Sequence, residues 1–306
     1  MSLRAINPYT SYQMLMDLQR TKDQLANLQE QLASGNRLSR LSDDPTASAL
    51  VLDFQTSIDQ NKTYINQANS ANSFLQTTET TLQSVSDAVA RLLEIGQQGL
   101  SETNSSSSRN SIAQEVDGIK ANLLGLANTQ AQGKYIFAGT LTTTPPFTAT
   151  AGGANYVGDS GLISLAVSAS TTVTTNIPGN TAFFGNPPTG GQNSATDLFR
   201  QVSDLSSALK NNDTAGIRLA YTNLKSSVLE NVTNSITDLG ARQAQLQDLT
   251  DNLSSYNLSL QTIQGSYQDL DYPTAITDYT QTQTAQQASL SVLAKMNNLN
   301  LFNYLG

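Results

Sequence analysis

The chain has 306 residues, of which 13% are charged and 6% aromatic, and its net charge is −8. With no cysteine and no histidine, it lacks thiol nucleophiles, disulfides, the commonest general base and the commonest metal ligand. The negative balance, with no Lys/Arg cluster against it, argues against nucleic acid as a partner, and no run approaches the roughly 18 apolar residues of a membrane span.

The amino terminus, Met1 to Pro8, has no apolar core and no small-residue cleavage site of the secretory kind. Helix begins near residue 10. Met14, Leu18, Thr21, Leu25, Leu28 and Leu32 step alternately by four and three, the spacing of a coiled-coil seam. Ser34-Gly35-Asn36 ends this helix, glycine supplying the left-handed cap. A second helix is expected from Pro45, with Asp44 as N-cap, Pro45 in the first turn where no N–H is needed, and Asp43 facing the helix dipole. Ile58, Ile65, Ala68, Leu75, Leu82 and Val89 continue it to about Ile95, a length on the order of 75 Å.

Glu102 to Arg109, with its four serines, reads as an exposed loop. Ile112, Val116, Ile119, Leu123, Leu126 and Ala127 mark a further helix ending near Gly133. Tyr135 to Thr196 then carries one charged residue, Asp159, and is rich in Thr, Gly and β-branched residues. Strands are expected at Tyr135–Gly139, Leu162–Val167 and Thr171–Asn176. Helix returns at Asp197 with Leu198, Val202, Leu205 and Leu209. Leu246, Leu249, Leu253, Tyr256, Leu260, Ile263, Tyr267 and Leu270 then alternate three and four, which predicts a long coiled-coil seam. A last segment after Pro273 carries Ile276, Tyr279, Ala285, Leu293, Met296, Leu299, Phe302 and Leu305.

The fold class expected is mainly α with a β insertion. A long antiparallel coiled-coil bundle from both termini would carry a small outer β domain. Its parts are an assembly arm at 1–42, helical bundle halves at 43–134 and 197–272, a β-rich outward domain at 135–196, and a second arm at 273–306. The two arms are thinly apolar and rich in Gln, Asn, Ser and Thr. Alone they bury little against the entropy of ordering, so they are expected to order when copies stack.

Gly158-Asp159-Ser160-Gly161 has the look of a serine-protease nucleophile, but no histidine exists to serve as its base, and the four residues suit a strand-connecting turn. Asp43-Asp44 belongs to the helix cap rather than to a paired-carboxylate metal or acid–base site, and the six Asn-x-Ser/Thr triplets are what such a composition gives by chance. No enzyme activity, cofactor or metal is expected.

Gln31-Leu32-Ala33-Ser34-Gly35-Asn36-Arg37-Leu38, followed by Ser42-Asp43-Asp44-Pro45-Thr46-Ala47-Ser48-Ala49, resembles the amino-terminal signature of the bacterial flagellin superfamily. Pro45 is similar to the hook-associated branch, where filament flagellin usually has a small residue. Gly133-Lys134-Tyr135-Ile136-Phe137-Ala138-Gly139 ahead of Pro146-Phe147, Tyr156-Val157-Gly158-Asp159 and the ending Leu299-Asn300-Leu301-Phe302-Asn303-Tyr304-Leu305 resemble that branch too.

The resemblance implies an extracellular structural subunit of the flagellum at the hook–filament junction. Its partners would be copies of itself, hook-associated protein 1, flagellin and an export chaperone on the carboxy-terminal region. Export would run through the flagellar type III apparatus without a cleaved signal. Filament flagellin is the alternative. Met14, Leu18, Leu25 and Leu32 are expected to face Leu290, Leu293 and Leu299 in an inner tube, with Leu301, Phe302 and Leu305 kept for assembly or chaperone contact.

Overall fold

The computed structural model describes residues 8–40, 42–168, 171–185 and 192–305; for 8–11 and 296–305 it describes the backbone path alone. Two compact units result: Asn61–Ser255, and Met1–Gln60 together with Tyr256–Gly306. Helices α1 (Pro8–Ser34), α2 (Pro45–Gly99) and α3 (Ser106–Ala127) come first in the chain. The last stretch holds α5 (Leu198–Lys210), α6 (Thr214–Asn223), α7 (Leu229–Gln268) and α8 (Tyr272–Leu305). Between these two sets the described residues form six short strands and the six-residue helix α4 (Gly179–Phe184).

In the unit Asn61–Ser255, α2 buries Ala68, Ala71, Leu75, Thr78, Leu82, Val85, Val89 and Leu92, alternating steps of three and four. Its apolar members belong to one cluster with Val232, Leu239 and Leu246 of α7. Gln243 Nε2 donates to Glu79 Oε2 across the two helices at 2.8 Å. Before α7, residues Leu224–Val228 form a π turn. One extra residue per turn keeps Ile217, Ala220, Leu224, Val228 and Val232 on the buried face although three successive steps are four.

The serine run is not a loop throughout. Ser105 caps α3 by accepting the N–H of Ser108 at 3.2 Å, so the helix starts at Ser106. Arg109, expected at the loop's end, is buried. Its guanidinium donates to the carbonyls of Gly99 (3.1 Å) and Ser101 (3.2 Å), which satisfies the carboxyl end of α2. Asp117 of α3 accepts from Ser206 Oγ and from Lys210 Nζ of α5, both at 2.6 Å. Partial burial works against its charge, but those two donors outweigh it and hold its pKa below the usual carboxylate value.

Among the described residues the β-rich stretch forms three two-stranded antiparallel ladders. Strands β1 (Gln130–Ala131) and β2 (Lys134–Tyr135) join through Gln132 and Gly133, both at positive φ, the signature of a tight mirror-image hairpin turn. Strands β3 (Phe147–Thr150) and β4 (Gly153–Tyr156) pair Phe147 with Tyr156, and β5 (Ser164–Ala166) pairs with β6 (Thr172–Thr174). The expected strand Tyr135–Gly139 is cut to its first residue, and β3, β4 and α4 were not foreseen.

Tertiary burial explains the difference. Phe137 and Phe183 meet edge to face at 4.9 Å, and Phe147 stacks among Phe183, Phe199 and Tyr156 at 5.1–5.3 Å. This aromatic core draws Ile136-Phe137-Ala138 into a buried turn instead of a ladder.

In the unit made from both ends of the chain, α1 and α8 lie antiparallel. Gln29, near the end of α1, donates to the hydroxyl of Tyr279, near the start of α8, at 3.2 Å. On α1 Met14, Leu18, Thr21, Leu25, Leu28 and Leu32 form a half-buried stripe, with Gln31 half-buried beside it; on α8, Ala275 is buried and Tyr279, Thr282, Gln286, Ser289 and Leu293 are half-buried. Both stripes keep heptad spacing, but the α8 side is mostly polar. Gly35 ends α1 at φ +74°, where its N–H meets Gln31 O at 2.8 Å.

Candidate functional site

The protease-like tetrapeptide is structural. The carboxylate of Asp159 accepts from Thr140 N–H at 2.6 Å, from the Thr140 hydroxyl and from Gly161 N–H at 3.2 Å. These bonds, the Thr140 hydroxyl foremost, hold its pKa below the ordinary carboxylate value. Gly139 lies at φ +69°, and a Cβ there would stand 1.9 Å from Asp159 Oδ1, so no larger residue fits. The hydroxyl of Tyr156 lies 2.6 Å from Asp159 O and 2.9 Å from Phe137 O.

Ser160 lines an open cleft of about 800 Å³ with Ser226, Glu230, Asp238 and Arg242 among its neighbours. Asp159 is committed to the turn, and Asp238 is paired with Arg242 at 2.7 Å. Activation of a serine needs a base held beside it; Asp159 and Asp238 are already engaged, and Glu230 also lines the cleft. Among the described residues no group of three acidic side chains is placed to hold a metal ion, and no helix is long and apolar enough to cross a membrane.

The other unusual surface is on the unit made from both chain ends. Opposite the seam with α8, helix α1 exposes Tyr12 (63%), Leu15 (54%) and Met16 (46%). Helix α8 exposes Ile276, Leu290 and Val292, and α7 exposes Tyr256, Leu258 and Ile263. Three helices of this unit therefore leave large apolar side chains in water.

Met14, Leu18, Leu25 and Leu32 share one face of α1, and Leu293 lies on the facing stripe of α8. Leu290 does not: it is 49% exposed, three positions before Leu293 and off the seam, and its place is taken by Ser289. Leu299, Leu301, Phe302 and Leu305 continue the backbone of α8, but their side chains lie outside the described residues. Asp44 and Pro45 stand at the start of α2, where Asp44 Oδ1 accepts the N–H of Ala47 at 3.0 Å. Asp43 serves the preceding turn, its carboxylate accepting Arg40 N–H at 2.9 Å, and not the dipole alone.

The seam expected along α7 is buried at Leu246 and Leu260 and half-buried at Leu249 and Leu253, and Leu270, past the helix end, is half-buried too, whereas Tyr256, Ile263 and Tyr267 face outward and Asn257, Gln264 and Gln268 face inward. A straight α-helix drifts by about 20° per heptad against a strict seven-residue repeat, so three heptads turn the expected stripe away from the covered face. Tyr12, Leu15 and Met16 were missed because they fall outside the seam period; the signal available was the two apolar residues directly after Met14.

Comparison with known proteins fits this arrangement. The model of the bacterial flagellin N-terminal helical region matches residues 6–142, and that of the C-terminal helical region matches residues 223–305. The chain is 32% identical over 290 residues to flagellar hook-associated protein 3 of Escherichia coli (strain K12), covering 89% of this chain and 90% of that one. Among solved structures, hook-associated protein-3 of Legionella pneumophila superposes with a TM-score of 0.60 at 18% identity, over 69% of this chain and 96% of the other. FlgL of Bacillus cereus gives 0.57 at 22% identity, over 71% and 100%. These two likenesses show a shared fold. On the two matched regions and the identity to the Escherichia coli protein, the chain belongs to the bacterial flagellin family, in the branch of the flagellar hook-associated protein 3 sequences.

Proposed function

We propose that this chain is a structural subunit at the hook–filament junction of the bacterial flagellum, joining a hook-associated protein to the flagellin filament. Membership in the hook-associated branch supports the site of action. The observation that carries the mechanism is the two-helix pair α1–α8, which keeps its shared seam only half-buried and leaves Tyr12, Leu15, Met16, Leu290 and Val292 in water. Such a pair gains burial when neighbouring copies cover it, and a head-to-tail contact that does not close repeats into a ring or tube.

In this reading residues 1–42 and 273–306 are the assembly arms lining an inner tube, through Met14, Leu18, Leu25, Leu32, Leu293 and Leu299, and 135–196 faces outward. The partners are copies of the chain, hook-associated protein 1 and flagellin, with an export chaperone on Leu301, Phe302 and Leu305 before assembly. The protein acts outside the cell, reaches its place without a cleaved signal peptide, and transmits force without catalysis.

Removal of residues 297–306 tests the reading. The unit Asn61–Ser255 should keep its unfolding transition, whereas cells carrying only the truncated chain should build hooks without attached filaments. Normal filaments from that truncation would refute the role. Purified full-length chain that polymerises by itself into long filaments would instead favour filament flagellin.

A further inference from the structure

Four helix ends meet within the unit built from both ends of the chain: the last turns of α1 and α7 and the first turns of α2 and α8. Residues 35–37 and 268–270, in the connections between them, are tied backbone to backbone. Arg37 N–H donates to Gln268 O at 2.7 Å, Leu270 N–H donates to Gly35 O at 3.0 Å, and Asn36 pairs with Asp269 as an antiparallel bridge.

The side chain of Arg37 extends this tie in two directions. Its Nη2 donates to the carbonyl of Tyr267 at 2.9 Å, in the last turn of α7. Its Nη1 lies 3.7 Å from Asp44 Oδ2, while the other carboxylate oxygen of Asp44 caps α2. The Arg37 carbonyl accepts Gln31 Nε2 from the last turn of α1 at 2.8 Å. One residue therefore touches three of the four helix ends. The fourth closes on the same spot: the Tyr272 hydroxyl stands 2.8 Å from where a Cβ on Gly35 would be.

Arginine suits this place for a physical reason. The carboxyl end of α7 carries partial negative charge on its last carbonyls, and Asp44 carries a full one. A planar guanidinium presents donors along two edges and can serve both at once, whereas an ammonium is a single point charge on a flexible stem.

We propose that Arg37 is a positioning residue for assembly: it clamps the roots of α1 and α8 to the ends of α2 and α7, and so fixes the direction in which the α1–α8 pair is presented to neighbouring copies. The thin polar seam further along α8 does not fix that direction by itself. The clamp is a property of the single chain; its consequence rests on the assembly role proposed above.

The test compares full-length wild type, Arg37→Ala and Arg37→Lys as dilute, dissociated chains by amide hydrogen exchange, and then in swimming cells. Both variants should exchange the Leu270 N–H and the residue-37 N–H at least about tenfold faster, as expected for loss of a charge-assisted bond. The amides of Val85 and Leu92 should not change, which shows that the remainder is folded. Both variants should also lose motility.

Unchanged exchange at Leu270 in Arg37→Ala would overturn the clamp, and full protection in Arg37→Lys would overturn the forked contact. Loosened amides with normal swimming would overturn the positioning role. Exchange is read on separate molecules, so a wild type that keeps its clamp yet never assembles would count against the junction role and not against the clamp.

Discussion

Helix α2 within Asn61–Ser255 and helix α1 in the other unit carry the same alternation of three and four, with opposite results. On α2, Leu75, Leu82, Val85, Val89 and Leu92 are fully out of water, because α7 and its π turn, α3 and α5 share one cluster with them. On α1, Met14, Leu18, Leu25, Leu28 and Leu32 remain half-exposed, because a single helix faces them and half of that face is Thr, Gln and Ser. Heptad spacing fixes which residues share a face; how much that face stabilises depends on how many neighbours cover it. The first unit is finished by its own chain, and the second leaves its stripes only half-buried.

Substitution in the two stripes should break or sharpen that contrast most. Leu82→Ala should cost about 2–5 kcal/mol in denaturant unfolding of the Asn61–Ser255 unit, whereas Leu25→Ala on α1 should leave that transition in place. Equal losses would erase the distinction. Next comes Gly139→Ala, which puts a Cβ against Asp159 at a positive φ. It should lower stability by about 1–3 kcal/mol, read as a lower thermal midpoint with α1 and α8 unaffected.

Tyr156→Phe removes a hydrogen bond at the same turn and should cost about 1 kcal/mol at neutral pH. Burial pushes the Tyr156 phenol up to about 12 from its ordinary 10.0. Between those values the folded chain keeps a proton that the unfolded chain releases, so this contribution is intact below about pH 10 and is lost as pH rises toward 12. The Phe variant should show a shallower alkaline loss in a series of unfolding curves.

The smallest effect on stability falls on the outward face of α1. Tyr12→Ser with Leu15→Ser should change unfolding by no more than about 0.5 kcal/mol yet abolish junction assembly, measured as filaments attached to hooks. A large loss of stability there would mean that the face is already covered within the chain.

The helical halves, the break at Gly35, the start of α2 at Pro45 and the strands β5 and β6 were legible, because each depends on residues close in sequence: a periodic stripe, a cap, a glycine at positive φ, a short β-branched run. The α7 stripe was legible only for its first heptads, since the seven-residue count outlasted the 3.6-residue turn. The short helix α4, with two phenylalanines between glycines and prolines, offered no local signal. It is held by the aromatic core around Phe147. On the α1–α8 pair, the shared stripe of α1 followed from its spacing, whereas Leu290 lies off that seam, because chain spacing does not say where the partner helix lies.

The sequence alone determined that both ends of this chain are helical, which residues share a face on each, and that chemistry based on thiol or imidazole is excluded. Those are properties of local backbone preference, side-chain period and composition. Only the tertiary structure decided which faces are covered and which stay open. It also decided that Phe137 lies in a buried turn, and that Arg37 meets Tyr267 and Asp44. Burial and long-range hydrogen bonds depend on which distant segments arrive, and no local pattern encodes that arrival.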